Sequence, residues 1–252
     1  MRENTRHSTS ETCIEEAEYA AARSFAYKLF AAAFEYPDEA RLALLGQGAP
    51  AAELQSVMTE IAPELAARTD WNTLSWTDEG EELQVEYTRL FDAGVSGPAC
   101  SLHEGAHRQS RMGALEELVR FYSYFGIARA EAPNDLPDHL STQLEFLHFL
   151  SHSEAVLCQD GFDPADYRRA QRDFLIHHPG KWLPKLASKL AASNAADFYI
   201  ELTGLLLAFI NRDIEHCVNQ VGRGVQDIGI ALTTIEEQPT KWEQESEFDE
   251  SI

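Results

Sequence analysis

The chain has few cysteines and no long apolar segment, and each absence excludes a class of protein. Its four cysteines, Cys13, Cys100, Cys158 and Cys217, lie far apart in 252 residues and form no Cys-x-x-Cys pair. We therefore expect free thiols in a reducing compartment, and neither a disulfide framework nor a cysteine zinc site. The longest clean apolar run, residues 205–210, is far too short to span a bilayer. No apolar signal-peptide core is visible near the N-terminus, so we expect a cytoplasmic protein.

Basic residues are scarce as well. Lys and Arg total 20 against 42 Asp and Glu, which gives a formal net charge of −22. Nucleic acid is an unfavourable partner for such a chain, because affinity for it comes mostly from Lys and Arg that neutralise phosphates. Long-range electrostatic steering instead favours a basic partner. The alternative is that the acidity serves only to keep the protein in solution.

No period-two alternation of useful length occurs, so the sequence predicts few or no strands. Apolar residues recur at helical spacing almost throughout, and we predict an all-α fold, a single globular multi-helix domain resembling a bundle. The expected division is a disordered N-terminus at 1–13, a helical domain at 14–235 and a disordered acidic tail at 236–252. The main helices are predicted at 15–34, 51–67 (perturbed at Pro63), 78–92, 106–124, 138–159, 164–177 and 181–192, with a last one after Asn194.

The usual catalytic motifs are missing, with one exception. There is no Gly-x-Ser-x-Gly elbow, no phosphate-binding loop and no dinucleotide fingerprint. Residues 103–107, however, read His-Glu-Gly-Ala-His, a formal match to the zinc motif His-Glu-x-x-His. In that interpretation His103 and His107 bind Zn²⁺ and Glu104 is the general base. Gly105 disfavours a helix at this point, and no third ligand follows at the expected spacing, so we predict no bound metal.

The most informative segment is residues 136–150. Pro137 and Asp138 are typical of a helix start, since proline presets φ and an acid is favourable in the first turn. Leu140, Leu144 and Leu147 then follow on one face, which predicts a buried helix. These rules leave Asp138-His139 without a specific role. One interpretation is a capping acid beside a histidine that fixes the loop, and the other is a pair of contacts for a ligand.

This segment resembles the TorD/DmsD/NarJ family of redox-enzyme maturation chaperones. The family hallmark is a Pro-Asp-His entrance followed by a Glu-Leu-Glu-Phe-Met-like helix, and residues 144–147 here read Leu-Glu-Phe-Leu. Gln143 replaces the first Glu of that pattern. The residue sequence of these motifs is most similar to that of the subgroup that serves periplasmic type II enzymes of the dimethyl sulfoxide reductase family.

The resemblance extends in order over residues 80–215. Residues 86–91, Glu-Tyr-Thr-Arg-Leu-Phe, are similar to the family's Tyr-x-x-Leu-Phe helix. Residues 97–102 resemble its Pro-rich loop, although His103 stands where the family has an aromatic residue. Residues 119–126 and 177–199 are similar to the helix that ends at glycine and to the His…Trp…Phe-Tyr region.

The resemblance implies a cytoplasmic chaperone, not an enzyme, that keeps no cofactor of its own. The implied client is a molybdenum enzyme's catalytic subunit, bound in its apo form together with its twin-arginine leader until the cofactor is inserted. The implied partners include no nucleic acid and no membrane, and the chaperone is a monomer or a homodimer. The alternatives are a zinc-dependent hydrolase and a helical adaptor without leader specificity. The candidate leader-binding residues are Tyr87, Phe91, Pro98, Ser101, Leu102, Asp138, His139 and Glu145.

Overall fold

The computed structural model describes residues 3–75, 81–92, 97–127 and 136–221. Within them the chain forms eleven α-helices and no strand, so the prediction of an all-α fold is confirmed. None of the described helices is both long and apolar enough to cross a bilayer. The helices are α1 (Glu3–Ala33), α2 (Glu39–Gly46), α3 (Ala49–Ile61), α4 (Pro63–Ala66), α5 (Trp71–Leu74), α6 (Glu82–Tyr87), α7 (Arg111–Tyr124), α8 (Leu140–Gln159), α9 (Ala165–His177), α10 (Pro179–Ala192) and α11 (Asp197–Val221).

Among the described helices α1 and α8 make the most extensive pairing, and α3 also packs against α1. Helix α9 packs against α8, α10 and α11, so the core lies between α1, α8 and the three C-terminal helices. Both predictions at helix ends in this part are confirmed. Pro63 separates α3 from α4, and α8 covers most of the segment predicted at 138–159. The core is closed by large side chains such as Tyr27, Phe30, Phe174 and Trp182, each fully buried.

Helix α1 is longer than the sequence pattern predicts. It begins at Glu3 and includes most of residues 1–13, where the polar sequence predicts disorder, so that prediction is wrong for this segment. Polar composition predicts a coil there, whereas the structure continues the helical hydrogen bonding of the apolar part of α1. The predicted acidic tail at 236–252 lies outside the described residues. The rest of the three-part division therefore stays a prediction.

Helix α7 also differs from its prediction. It starts at Arg111 rather than near residue 106, because the hydroxyl of Ser110 accepts the backbone N–H of Gly113 at 3.1 Å and caps the helix. The helical spacing of Met112, Leu115, Val119 and Tyr122 predicts that they face inward, but Met112 and Val119 are exposed by 65% and 47%. Ala114 and Leu118 form the buried side instead. The helix is therefore rotated about its axis relative to the predicted orientation.

A buried polar cluster joins four helices at the centre of the fold, and we call it the helix network. Arg23 on α1 makes two hydrogen bonds to the carboxylate of Asp213 on α11, at 2.5 and 2.8 Å. It also donates to Glu154 on α8 at 3.1 Å and to Gln171 on α9 at 2.5 Å. Arg168 donates to the second oxygen of Glu154 at 2.6 Å. Two arginines thus balance two buried acids, which burial of charge requires.

Candidate functional site

Two loops that are distant in sequence pair at the start of α8, and we call residues 101–107 and 136–140 the loop pair. The N–H of Glu104 donates to the carbonyl of Asp138 at 2.9 Å, and the N–H of Leu140 donates to the carbonyl of Leu102 at 2.8 Å. These two bonds form an antiparallel bridge between His103 and His139. The zinc-like motif and the Asp-His entrance, separate in the sequence, are therefore neighbours in the fold.

Asp138 is fully buried inside the loop pair and holds the opposite loop. Its carboxylate accepts Nδ1–H of His103 at 3.1 Å and the backbone N–H of Gly105 at 3.2 Å. Burial alone would raise the pKa of Asp138, but the bonds and charge of His103, the Gly105 N–H and nearby Arg111 outweigh it and lower that pKa. Asp138 is consequently an ionised anchor at neutral pH. It does not cap α8, although its position at the helix start is typical of a capping acid.

The cap of α8 is His139. Its Nδ1 accepts the N–H of Ser141 at 3.2 Å, so Nδ1 carries no proton and the other ring nitrogen does. The His139 ring meets the ring of His103 edge to face, with centroids 5.0 Å apart. Both rings are partly exposed, 31% in the case of the His103 side chain. The loop pair thus presents two imidazoles to solvent in front of one buried carboxylate.

Gly105 allows the two loops to approach this closely. A Cβ at this position would lie 2.5 Å from Cγ of Arg111 and 2.9 Å from a carboxylate oxygen of Asp138. Real Cβ atoms do not tolerate such distances, so a side chain here would push Asp138 and Arg111 away. The glycine that weakens the zinc motif is required by the packing of the loop pair.

Behind the loop pair lies a second buried cluster, which we call the loop network. Glu104 is fully buried, and its carboxylate accepts from Gln143 at 2.7 Å and from Nδ1 of His178 at 3.1 Å. Arg108 pairs with the same carboxylate at 3.0 Å and also donates to the carbonyl of His177 at 2.8 Å. One acid therefore connects the first loop to α8 and to the junction of α9 and α10.

The contacts of Gln143 explain why an amide stands where the resembled family has a glutamate. Its amide N–H donates to Glu104, while its carbonyl oxygen accepts the indole N–H of Trp182 at 3.1 Å. A glutamate in this position would place a second carboxylate against Glu104 and could offer it no N–H donor at neutral pH. An amide satisfies both partners, so the substitution fits the neighbour that this chain has.

The geometry does not favour the zinc interpretation of residues 103–107. Glu104–Ala106 is a single 3₁₀ turn, and the two histidines have other partners. His103 bonds Asp138, whereas the Nε2–H of His107 donates to the carbonyl of Ser101 at 2.8 Å, with its ring stacked on Trp182. Burial, followed by nearby Lys189 and Lys185, lowers the pKa of His107. Over the described part of the chain, no group of three His, Cys, Asp or Glu side chains is placed to hold a metal ion.

The eight candidate residues from the sequence do not form one open groove. Ser101, Leu102, Asp138 and His139 belong to the loop pair, and all but His139 are buried. Tyr87 and Phe91 are buried in an aromatic cluster with Tyr199, and the hydroxyl of Tyr87 donates to the carbonyl of Phe34 at 3.1 Å.

The remaining two candidates are more accessible, since Pro98 is half-buried and Glu145 is exposed on α8. Their role in binding stays a prediction. The structure adds five residues to the eight candidates, namely Glu104, Arg108, Gln143, His178 and Trp182. The zinc motif draws attention to Glu104, the family resemblance to Gln143, His178 and Trp182, and no sequence signal points to Arg108.

Known proteins similar to this chain are assembly factors. A family model described as nitrate reductase delta subunit matches residues 49–188, which contain the loop pair and the loop network. The perchlorate reductase assembly chaperone of Dechloromonas aromatica (strain RCB) is 31% identical over 210 residues, 81% of this chain and 94% of that protein. The selenate reductase assembly chaperone of Thauera selenatis is 42% identical over 118 residues, 46% of this chain and 61% of that protein.

A more distant relative carries the name of the resembled family. Chaperone protein TorD of Vibrio parahaemolyticus (serotype O3:K6, strain RIMD 2210633) is 26% identical over 143 residues, 55% of this chain and 66% of that protein. All three relatives are named chaperones, which confirms the prediction that the chain is not an enzyme. Because the family model covers more than half of the chain, this protein belongs to the nitrate reductase delta subunit family, that is, to the TorD/DmsD/NarJ family of redox-enzyme maturation chaperones.

Proposed function

We propose that this protein is a cytoplasmic chaperone for the catalytic subunit of a molybdenum enzyme. It binds the twin-arginine leader and the apo form of that subunit, aids insertion of the cofactor and delays export until the subunit is complete. The observation that carries the proposal is the 31% identity over 81% of the chain with a perchlorate reductase assembly chaperone. The loop pair lies inside the region that matches the family model, so we assign it to client binding.

The chemistry of the loop pair suits a protein client. His103 and His139 are partly exposed and both have ring nitrogens fixed by bonds inside the site, so they are pre-oriented for hydrogen bonds to a partner. Preorganisation of this kind lowers the entropy lost on binding. Asp138 acts behind them as a positioning residue that orients His103. The net charge of −22 favours the encounter with a leader that contains two arginines.

Co-expression with a client tests this proposal. We would express the full chain with the catalytic subunit of a molybdenum-dependent reductase that keeps its leader, and measure co-purification and the molybdenum content of the subunit. The proposal expects a stable complex with the apo subunit and less molybdenum in the subunit when the chaperone is omitted. The double variant His103→Ala/His139→Asn should weaken the complex. Equal molybdenum with and without the chaperone, and no complex, would reject the proposal in favour of a general adaptor.

A further inference from the structure

An apolar cavity of about 220 Å³ lies beneath α2, far along the chain from the loop pair, and we call it the α2 cavity. Helix α2 covers it, and the end of α1, the start of α3, α6 and the start of α11 form its walls. Its apolar lining includes Leu29, Ala33, Leu45, Pro50, Leu83 and Phe198. Two acids, Glu35 and Glu53, lie at its edge. An apolar guest would make dispersion contacts with this lining and remove its apolar surface from water.

The cover of this cavity is weakly attached. Helix α2 has eight residues and not one of them is buried, and Leu44 on it is exposed by 51%. Gly48, with a φ of +71°, forms the turn into α3. Few buried contacts mean that little free energy opposes an outward shift of α2. Such a shift would enlarge the cavity towards the range of about 300–1,000 Å³ that is usual for ligand sites.

The edge of the cavity already holds a guanidinium group. Arg41 on α2 forms an ion pair with Glu35 and donates to the carbonyl of Tyr36 at 3.2 Å. Glu53 is exposed on the first turns of α3. A guest that carries arginine beside an apolar stretch would therefore find a carboxylate and a carbonyl arranged for guanidinium binding next to an apolar space. Arg41 occupies that place within the chain itself.

We propose that the α2 cavity binds the apolar stretch of the client's twin-arginine leader while a leader arginine takes the place of Arg41 on Glu35. This inference rests on the proposed function and assigns the leader to a different surface from the loop pair. A second cavity, of about 390 Å³ between α1, α8, α9 and α11, does not fit an apolar guest. Its walls are charged, and Arg168 there is already bonded to Glu16 and Glu154.

A blocking variant with a matched control tests the position of the leader. Ala32 lines the cavity from an exposed position on α1, whereas Ala21 is exposed on the same helix three turns earlier. We would titrate the full chain with a synthetic peptide of about 25 residues that carries two arginines and an apolar stretch. Ala32→Trp should weaken binding by at least about tenfold, while Ala21→Trp should bind as the wild type does. Leu44→Gln, on the exposed cover, should also weaken binding without disturbing the core.

Three variants test the exchange of arginines. Glu35→Gln should weaken binding of the arginine peptide. It should not change binding of a peptide that has Gln in place of both arginines. Arg41→Gln should raise the affinity for the arginine peptide by about two- to fivefold, because Arg41 no longer competes for Glu35. A gain of this size corresponds to the free energy of one exposed ion pair. Glu60→Gln, exposed on the same helix as Glu53 but outside the cavity, is the neutral control.

The outcomes separate the two proposals. If the peptide binds the wild type, and Ala32→Trp and Leu44→Gln bind it equally well, the leader does not occupy the α2 cavity. The proposed function would remain intact. Weaker binding to Arg41→Gln would overturn the arginine exchange. A peptide that does not bind the wild-type chain at all would overturn the leader-binding part of the proposed function and this inference with it.

Discussion

The helix network and the loop network are both buried and polar, yet they are built differently. The helix network consists of two arginines and two acids, joined by three ion pairs, and with Gln171 it ties α1, α8, α9 and α11 together in the core. The loop network has one acid, one arginine and three further side chains that donate or accept hydrogen bonds, and it supports a surface of two imidazoles. In the helix network each buried acid has a cationic partner. In the loop network hydrogen bonds hold the loops in their orientation. The difference separates groups that hold the fold from groups that shape the proposed binding surface.

The largest expected effect is loss of the arginine at the centre of the helix network. Arg23→Met would leave Asp213 and one oxygen of Glu154 buried without a cation, so unfolding free energy should fall by about 3–5 kcal/mol. Urea unfolding followed by circular dichroism measures this. The control is Arg169→Met, because Arg169 pairs with exposed Asp166 and should change stability by less than about 1 kcal/mol. Equal effects of the two variants would refute the role given to the helix network.

The loop network should give the next largest effect. Glu104→Ala removes the acceptor of Gln143, His178 and Arg108, and we expect a loss of about 2–4 kcal/mol in urea unfolding. Glu117 binds the same Arg108 at 3.2 Å from a half-exposed position, so Glu117→Ala should cost less than about 1 kcal/mol. A stable, natively folded Glu104→Ala protein would show that the network does not hold the loops.

A smaller effect should come from Asp138, and it should depend on pH. Asp138→Asn weakens two charge-assisted hydrogen bonds, so it should cost about 1–3 kcal/mol at pH 7. The folded pKa of Asp138 lies below its ordinary value of 3.8, so its contribution is present above that value and is lost as pH falls through the folded one. The difference between wild type and variant should thus be full at pH 5–7 and shrink below about pH 4. Urea titrations at three pH values test this, and a difference that grows towards acid would contradict it.

The smallest stability effect, and the clearest separation of folding from binding, concerns His139. His139→Ala removes the cap of α8 and should cost about 0.5–2 kcal/mol, whereas His139→Asn keeps a capping side chain and should be nearly neutral. Both variants lose the imidazole. If His139 contacts the client, both should bind it more weakly in co-purification, despite their different stabilities. Binding that follows stability alone would make His139 a purely structural residue.

The contrast between the networks also explains what the sequence could reveal. Local signals were sufficient for the helical class, for the break at Pro63 and for the buried stripe of α8, because each depends on neighbours within a few turns. The bonds of Arg23 to Glu154 and Asp213 join residues 131 and 190 positions apart, and no local pattern reports such a pairing. In the sequence Arg23 stands out only as a charged residue between small and aromatic neighbours at 19–22 and 24–27.

The candidate site was predicted in part for the same reason. The Asp-His entrance points to one loop of the pair, whereas the sequence of the other loop is typical of a zinc motif or of the start of a helix. Asp138 turned away from its own helix because His103 and Gly105 offer it donors from 33 to 35 residues away. His139, a less usual capping residue, accepts the Ser141 N–H in place of Asp138. Tertiary hydrogen bonds here prevailed over the local preference for an acidic cap.

The most direct test of the account is a calorimetric titration of the full chain with a leader peptide that carries two arginines, beside the same peptide with both replaced by Gln. The account predicts that the arginine peptide binds at least about tenfold more tightly, a difference of about 1.4 kcal/mol. Raising the salt concentration should reduce that difference, because exposed carboxylate–guanidinium contacts are screened. Equal affinity for the two peptides would contradict the claim that this chaperone recognises twin-arginine leaders.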